Sequence, residues 1–327
     1  VPFFSILIAT RDRPALFGEA LASVLAQDFD DVELVVVDDG SAETHRPAYE
    51  AVLGPARARL GDRLREIRLV HRPNGHGSSY ALNVAAAAAS GDYLACLDDD
   101  DCWTDKGHLA RAARSLRRAP GADLYTANQA AFLRGEPLPD GLWLAALAPL
   151  LAGRAGDEDG TWHVRIDDLI AAQGFCHLNC LIVRRGLWEA VGGLDEAIRW
   201  ENDRDFYIRL IDAATGPILH NPAVVSRHNV PDPARTDNIT TSIPQMMKRL
   251  HQLRVADKTA LFSRHPALRE EGRRERGFAL QKLARDLARA GDRKAAAHYA
   301  RSALADTRSA GVAARAALYT LKALLAR

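Results

Sequence analysis

Four consecutive carboxylates, Asp98-Asp99-Asp100-Asp101, follow the apolar run Tyr93 to Leu97. Like charges this close cannot all ionise comfortably unless a cation neutralises them. Carboxylate oxygens suit hard divalent ions such as Mg2+ or Mn2+, which also hold phosphate oxygens. The competing reading is a helix N-terminus whose dipole favours Asp. A second acidic pair, Asp38-Asp39, closes the apolar run Val32 to Val37 and precedes Gly40-Ser41. A carboxylate at such a strand end can accept hydrogen bonds from a nucleobase or ribose hydroxyl. A turn with Asx chemistry and Gly at positive φ would use the same residues without a ligand.

These clusters need a scaffold. Phe3 to Ala9 reads as a buried strand closed by the polar Thr10 to Arg13, and Pro14 suits the first turn of a helix. A second strand spans Val32 to Val37, a helix Pro47 to Leu60, and a third strand Ile67 to Val70. A glycine loop, Asn74 to Ser79, then leads through an Ala-rich helix to a strand at Tyr93 to Leu97. This alternation predicts an α/β sheet, largely parallel and covered on both faces. Ligands of such sheets collect at the carboxyl edge, where three strand ends here carry acidic or polar clusters. Beyond about residue 235 the strand signal stops. Gln245 to Thr259, Gly272 to Ala290, Arg293 to Ala305 and Val312 to Leu325 carry helical spacing. Two domains are therefore expected, 1–235 and 236–327, the second small and all-α. Small residues alternating with Tyr299 and Leu304 resemble a single tetratricopeptide-type hairpin, with plain helical packing as the simpler reading.

The order of motifs resembles glycosyltransferase family 2. It is carried by Ser5 to Pro14, Ala22 to Gln27, Val35 to Ser41, Ala88 to Asp101, Arg184-Arg185, Val191 to Glu196 and Asn202 to Leu210. The resemblance implies the GT-A nucleotide-diphosphosugar transferase fold and an inverting transfer from a nucleoside diphosphate sugar, a UDP-sugar in the first instance. It implies that Thr10, Arg13, Asp38 and Asp39 line the base and ribose pocket, and that Gly75 belongs to the donor loop. Asp98-x-Asp100 matches the family's Asp-x-Asp motif, with Asp98 at the ribose and metal and Asp100 on the Mn2+ or Mg2+. His228, in Ser226 to Asn229, falls where a family His completes the metal site. Asp203 falls on the general-base position, although Asn202 stands where a Glu is usual, leaving Glu201 as an alternative base. Asp99 and Asp101 are expected behind the ligands or at the surface. His177 is read equally as a ligand contact and as a structural residue. An arginine usual after the glycine loop is replaced by Leu82.

Composition bounds the rest. With 47% hydrophobic and 26% charged residues, the 327-residue chain is ordinary globular protein. From Lys248 onward 19 Lys/Arg stand against 7 Asp/Glu, and the preceding part is correspondingly acidic. Few aromatics interleave these basic residues, so nucleic acid is not an expected partner. The tail is read as a solvated helical surface or as an electrostatic docking element for an acidic partner, another copy in a homodimer being one such partner. Four cysteines are too few for a disulfide framework, and Cys176-His177-x-x-Cys180 alone is a weak zinc signal. With no apolar run long enough to span a bilayer, a cytoplasmic enzyme is expected. No Gly-x-Gly-x-x-Gly follows the first strand, against a nicotinamide-dependent enzyme. The acceptor stays open among saccharide, lipid-linked, small-molecule and peptide. A non-catalytic sugar-nucleotide-binding scaffold with a partner-recruiting tail is the alternative.

Overall fold

The computed structural model describes residues 1–230, 232, 239–307 and 309–325. The chain divides into two compact units, Val1–Asp232 and Pro233–Arg327. The boundary expected at residue 235 lies outside the described residues.

The first unit is built on one ten-stranded sheet. Its strands are β1 (Phe4–Thr10), β2 (Val32–Asp38), β3 (Leu64–Arg68), β4 (Tyr93–Cys96), β5 (Cys102–Trp103), β6 (Leu124–Leu133), β7 (Glu136–Leu142), β8 (Trp162–Val164), β9 (Leu181–Arg184) and β10 (Ile218–Asn229). They run in the order β3-β2-β1-β4-β9-β6-β10-β5, with β7 against β6 and β8 against β10. The parallel expectation holds for β3-β2-β1-β4 and for β6 with β10. It fails elsewhere: β9 is antiparallel to both β4 and β6, and β5, β7 and β8 also pair antiparallel. The sheet is mixed. Short strand–helix–strand crossovers impose parallel direction, whereas β9 is reached only after the long excursion through β5 to β8.

Helices α1 (Pro14–Leu25), α2 (Arg46–Leu60), α3 (Ser78–Ala88) and α4 (His108–Arg118) flank the sheet. Phe17 and Leu21 of α1 and Leu82 and Ala85 of α3 are buried, and so are nearly all residues of β1 and β2. That two-sided burial explains why those strands read as continuous apolar runs. The third strand begins three residues and ends two residues earlier than its apolar run suggested. It is the sheet's edge, half exposed, and Val70 beyond it is 79% exposed. Three short helices, α5 (Leu147–Leu150), α6 (Ile166–Ala171) and α7 (Arg185–Ala190), precede α8 (Asn202–Ala213).

The second unit's described residues form α9 (Ile239–Ser242), α10 (Gln245–Phe262), α11 (Pro266–Arg289), α12 (Arg293–Ser302) and α13 (Ala310–Leu324), without a strand among them. Small residues let these helices approach. A Cβ on Gly272 of α11 would collide with the backbone of Ala260 of α10. Ala284, Ala300 and Ala316 meet at the centre of α11, α12 and α13, with Tyr299 and Leu304 packed around them. Asp292 caps α12 by accepting the Ala295 N–H at 3.0 Å. Among the described residues no helix is long and apolar enough to cross a membrane. All four cysteines are free thiols.

Two buried histidines set an acid limit on stability. His108 lies between Trp103 and Tyr125, with ring centroids 5.3 and 6.2 Å away, and burial pushes its pKa down to about 3. His220 stacks on Trp162 and is bonded through Nδ1 to Thr126 Oγ1 at 3.0 Å; burial takes it down to about 4. An unfolded His titrates near 6.5, so below that pH the unfolded chain binds protons that the folded chain refuses. Stability contributed by the neutral rings is thus present above about pH 6.5 and falls on acidification, by up to ~1.4 kcal/mol per pH unit for each His. Urea midpoints at pH 7.5 and 5.0 should fall more steeply for the native chain than for His220→Gln. Equal slopes would refute this.

Candidate functional site

Strand pairing gathers the polar clusters. Thr10 at the end of β1 is opposite Asp38 at the end of β2, and Leu7 of β1 is opposite Cys96 of β4. The Leu97 N–H donates to the Leu7 carbonyl at 3.1 Å, which carries the next residues off the sheet's carboxyl edge. Asp98 to Asp101 form the turn that follows, closed by the Asp101 N–H on the Asp98 carbonyl at 3.2 Å. The little strand β5 then pairs Cys102 with Arg227 of β10. That register delivers Asp101 to His228 and Asn229.

Oxygens of Asp98, Asp100 and Asp101 come within 4.8 Å of one another. Arg13 enters the cluster from the first loop, bonded to Asp99 and to Asp100 Oδ2, the latter at 2.9 Å. Asp99 and Asp101 are not at the surface: they are 1% and 2% exposed. The four acids have different environments. Burial and the neighbouring carboxylates Asp101 and Asp100 push Asp98 well above the usual carboxylate range. Burial raises Asp99 to about 7, against the opposing charge of Arg13, and burial also raises Asp100. Asp101 goes the other way. Its burial is outweighed by His228, whose Nδ1 lies 2.7 Å from Oδ2, and by the Asn229 N–H at 2.7 Å. The same contact holds His228 above the ordinary imidazole value despite its burial.

The donor set fits a divalent cation. Clustered carboxylate oxygens whose protonation is favoured by burial and mutual repulsion are the environment that a hard cation relieves. His228 meets Asp101 through Nδ1, which leaves Nε2 for a ligand, the arrangement in which a carboxylate orients a metal-binding imidazole. The oxygens of Asp98, Asp100 and Asp101 can therefore gather round an ion, and Asp101 joins that cluster to His228.

Asp39 ties the glycine loop to the sheet. Its carboxylate accepts the His76 N–H at 2.8 Å and the Gly77 N–H at 2.9 Å. Gly75 stands at φ +62, and a Cβ there would strike Arg11 and the Asp39 carboxylate, so only glycine passes. Asp38 Oδ1 accepts the Ser41 N–H at 2.7 Å, as an Asx turn would, and Arg68 Nε lies 3.5 Å from Oδ2. Thr10 Oγ1 is 2.9 Å from the Tyr49 hydroxyl. Thr10, Arg13, Asp38, Asp39 and Gly75 thus line one rim, with Arg13 reaching from it to the acidic turn. Arg199 closes the loop from outside, donating to the Asn74 and His76 carbonyls at 3.3 and 3.0 Å. Leu82, where an arginine was expected, is buried.

Asp203 sits in the first turn of α8, its Oδ1 accepting the Arg204 N–H at 2.8 Å. Glu201, the residue before the helix, adopts φ +63, a left-handed conformation uncommon outside glycine. Between Asp203 and the acidic turn stands His177, with Nε2 3.7 Å from Asp203 Oδ2 and 3.7 Å from Asp98 Oδ2. Burial lowers the pKa of this imidazole. Asn179, two residues on, accepts the Asp98 N–H at 2.9 Å and donates to Asp101 at 2.6 Å. Trp143 stands edge-on to His177 and His228, with centroids 6.0 and 5.1 Å apart. Neither Asn179, Trp143 nor Arg199 carries a sequence signal, because their contacts arise from segments far apart in the chain. Cys176 and Cys180 are buried with Sγ atoms near the Ala127 carbonyl and Gln129 Oε1, and burial raises both thiols.

Residues 5–135 match the model of glycosyl transferase family 2. A PGL/p-HBAD biosynthesis glycosyltransferase of Mycobacterium bovis is 29% identical over 227 residues, 69% of this chain and 73% of that protein. The succinoglycan biosynthesis protein ExoW of Rhizobium meliloti is 34% identical over 119 residues, 36% of this chain and 34% of ExoW. Among solved structures, S. aureus TarS 1-349 in complex with UDP-GlcNAc superposes with a TM-score of 0.66 at 16% identity, covering 92% of this chain and 81% of that one. The mannosyltransferase PcManGT from Pyrobaculum calidifontis, in complex with GDP-Man and Mn2+, gives 0.58 at 18% identity, covering 99% and 81%. At these identities the structural likeness speaks for the fold, a mixed sheet with flanking helices similar to GT-A glycosyltransferases.

Proposed function

Because the chain is a glycosyltransferase carrying a family 2 domain, we propose that its first unit performs an inverting, cation-assisted transfer from a nucleoside diphosphate sugar. The observations that carry this reading are the cluster of Asp98, Asp100 and Asp101 at the sheet's carboxyl edge, the contact of Asp101 with His228, and His177 Nε2 at 3.7 Å from both Asp98 and Asp203. Thr10, Asp38, Asp39 and the loop at Gly75 hold base and ribose, and Arg13 stands between that rim and the acidic turn. A divalent cation, Mn2+ or Mg2+, held by Asp98, Asp100 and His228, would neutralise the charge that develops on the departing diphosphate.

Asp203 accepts the proton of the acceptor hydroxyl. The acceptor oxygen then bonds the anomeric carbon as the bond from that carbon to the diphosphate oxygen breaks, and the nucleoside diphosphate leaves with both electrons. Single displacement inverts the anomeric centre. Trp143, beside both histidines, belongs to the wall on the acceptor side. UDP-GlcNAc bound to TarS and GDP-Man bound to PcManGT place both nucleotides among the first donors to try. In the second unit, α11 and α12 are read as a tetratricopeptide-like hairpin with α13 as a further helix, supported by the small residues at their contacts.

A thermal-shift series with UDP, GDP and their sugars, with and without Mn2+, tests the reading. A ligand of the folded state stabilises by mass action, about 2.7 kcal/mol at a hundred times its dissociation constant. One nucleotide should raise the melting temperature only when Mn2+ is present. No Mn2+-dependent shift with any of them would overturn the metal assignment. Release of nucleoside diphosphate on incubation separates an enzyme from a binding-only scaffold.

A further inference from the structure

We infer that His177 is a positioning residue for the transfer, whose Nε2–H fixes the Asp203 carboxylate at a set distance from Asp98. The inference rests on the reading of Asp203 as the base.

Three observations carry it. The first is the tautomer. His177 caps the short helical turn Leu178–Cys180, its Nδ1 accepting the Asn179 N–H at 3.4 Å. With Nδ1 acting as acceptor, the proton of the neutral ring resides on Nε2, which becomes a donor. The second is what that donor faces: one oxygen of Asp98 and one of Asp203, each 3.7 Å away. Both lie just beyond hydrogen-bond length, so a movement of a few tenths of an ångström toward either carboxylate makes that bond. The third is rigidity. The residue is 7% exposed, and its ring packs against Trp143 and His228, the latter with its centroid 4.9 Å away. The neighbouring Asn179 is bonded to both the Asp98 N–H and the Asp101 carboxylate. One short segment therefore clasps the acidic turn and presents a single N–H to the base.

The same ring offers a competing role. Asp101, His177 and His228 have ligand atoms within 4.8 Å of one another, as a cation site would. A ring nitrogen that carries a proton has no lone pair to give a cation, and the other nitrogen is bonded to the backbone. Positioning and ligation thus make opposite demands on Nε2, which lets experiment separate them.

His177→Leu removes the N–H while keeping bulk, and His177→Gln returns an amide N–H near the position of Nε2. The assay is release of nucleoside diphosphate from UDP-GlcNAc, UDP-glucose and GDP-mannose with Mn2+, water serving as acceptor, beside Mn2+ affinity by calorimetry. His177→Leu should lower kcat by about tenfold to a hundredfold, the scale of a misplaced catalytic group, with KM for donor and Mn2+ affinity within about twofold. His177→Gln should recover most of that loss. Added to Asp203→Asn, His177→Leu should cost nothing further, since residues acting as one unit are non-additive. Imidazole 15N spectra of the protein without metal or donor, with the His177 signal identified by its loss in His177→Gln, should show the Nε2-protonated neutral ring. A tenfold fall in Mn2+ affinity, independent effects of the two substitutions, His177→Gln as impaired as His177→Leu, or a proton on Nδ1 would each overturn the inference. Full activity of Asp203→Asn by itself would instead overturn the base assignment beneath it.

Discussion

Replacing Asp203 by Asn should lower kcat by about a hundredfold to ten-thousandfold, the range for loss of a general base, while binding of donor with Mn2+ changes less than twofold. The reason is geometric. Asp203 is held by its own helix turn, through the Arg204 N–H, and faces the acidic turn only across His177. The amide is nearly isosteric, so the hydrogen bond and packing survive while the proton acceptor is lost. Measurement of kcat and donor affinity on the same preparation separates loss of chemistry from loss of binding. If Asp203→Asn turns over at the native rate, Glu201 becomes the base. The left-handed backbone of Glu201 would then have a purpose, since strained non-glycine residues cluster at active sites. Glu201→Gln would be the deciding variant.

The second large effect is expected at the acidic turn. Asp98→Asn and Asp100→Asn should each abolish the Mn2+-dependent thermal shift given by nucleoside diphosphate and lower turnover by two orders of magnitude or more, as loss of a cation that offsets leaving-group charge implies. Without metal the two variants should part company. Asp98 sits among Asp101, Asp100 and Asp99, whose charges disfavour its own, and no arginine among the described residues is bonded to it. Removing that charge should leave the metal-free protein as stable as before or more so. Asp100 is bonded to Arg13, so Asp100→Asn weakens an ion pair whose arginine is about a quarter exposed, at 24%. Partly exposed pairs contribute up to about 1 kcal/mol, so its metal-free melting temperature should fall by a few degrees at most. Denaturation of both variants in chelator, and again with Mn2+ and nucleotide, checks the contrast. A large loss of stability for Asp98→Asn in chelator would mean that the acidic turn is a structural network.

The candidate site was legible where it is local in sequence. The acidic turn, the Asp38-Asp39 pair and the glycine loop each follow a strand, and strands in short crossovers deliver their ends to one edge. Gly75 and Asp39 show how far this extends: both could be named from motifs, yet their direct meeting, where a side chain on residue 75 would strike the carboxylate, appears only in three dimensions. For Asp101 the sequence left two places open, behind the ligands or at the surface, and the buried contact with His228 decides for the first. Whether a carboxylate in a run of four faces solvent, a cation or an imidazole depends on which strand pairs next, and here two residues of β5 pair with β10 more than 120 positions later.

By itself the sequence determined the alternating strands and helices of the first unit, the change to helices in the second, and the residue types gathered at the sheet's edge. Those follow from side-chain periodicity and from charges that need neutralising, which are properties of short stretches of chain. Tertiary structure alone decided that the sheet is mixed, that Asp101 braces His228, that Arg199 lies on the glycine loop, and that His177 stands midway between Asp98 and Asp203. Each of these joins segments distant in the chain. Their register is fixed by the packing of the whole sheet, which no local pattern of residues encodes.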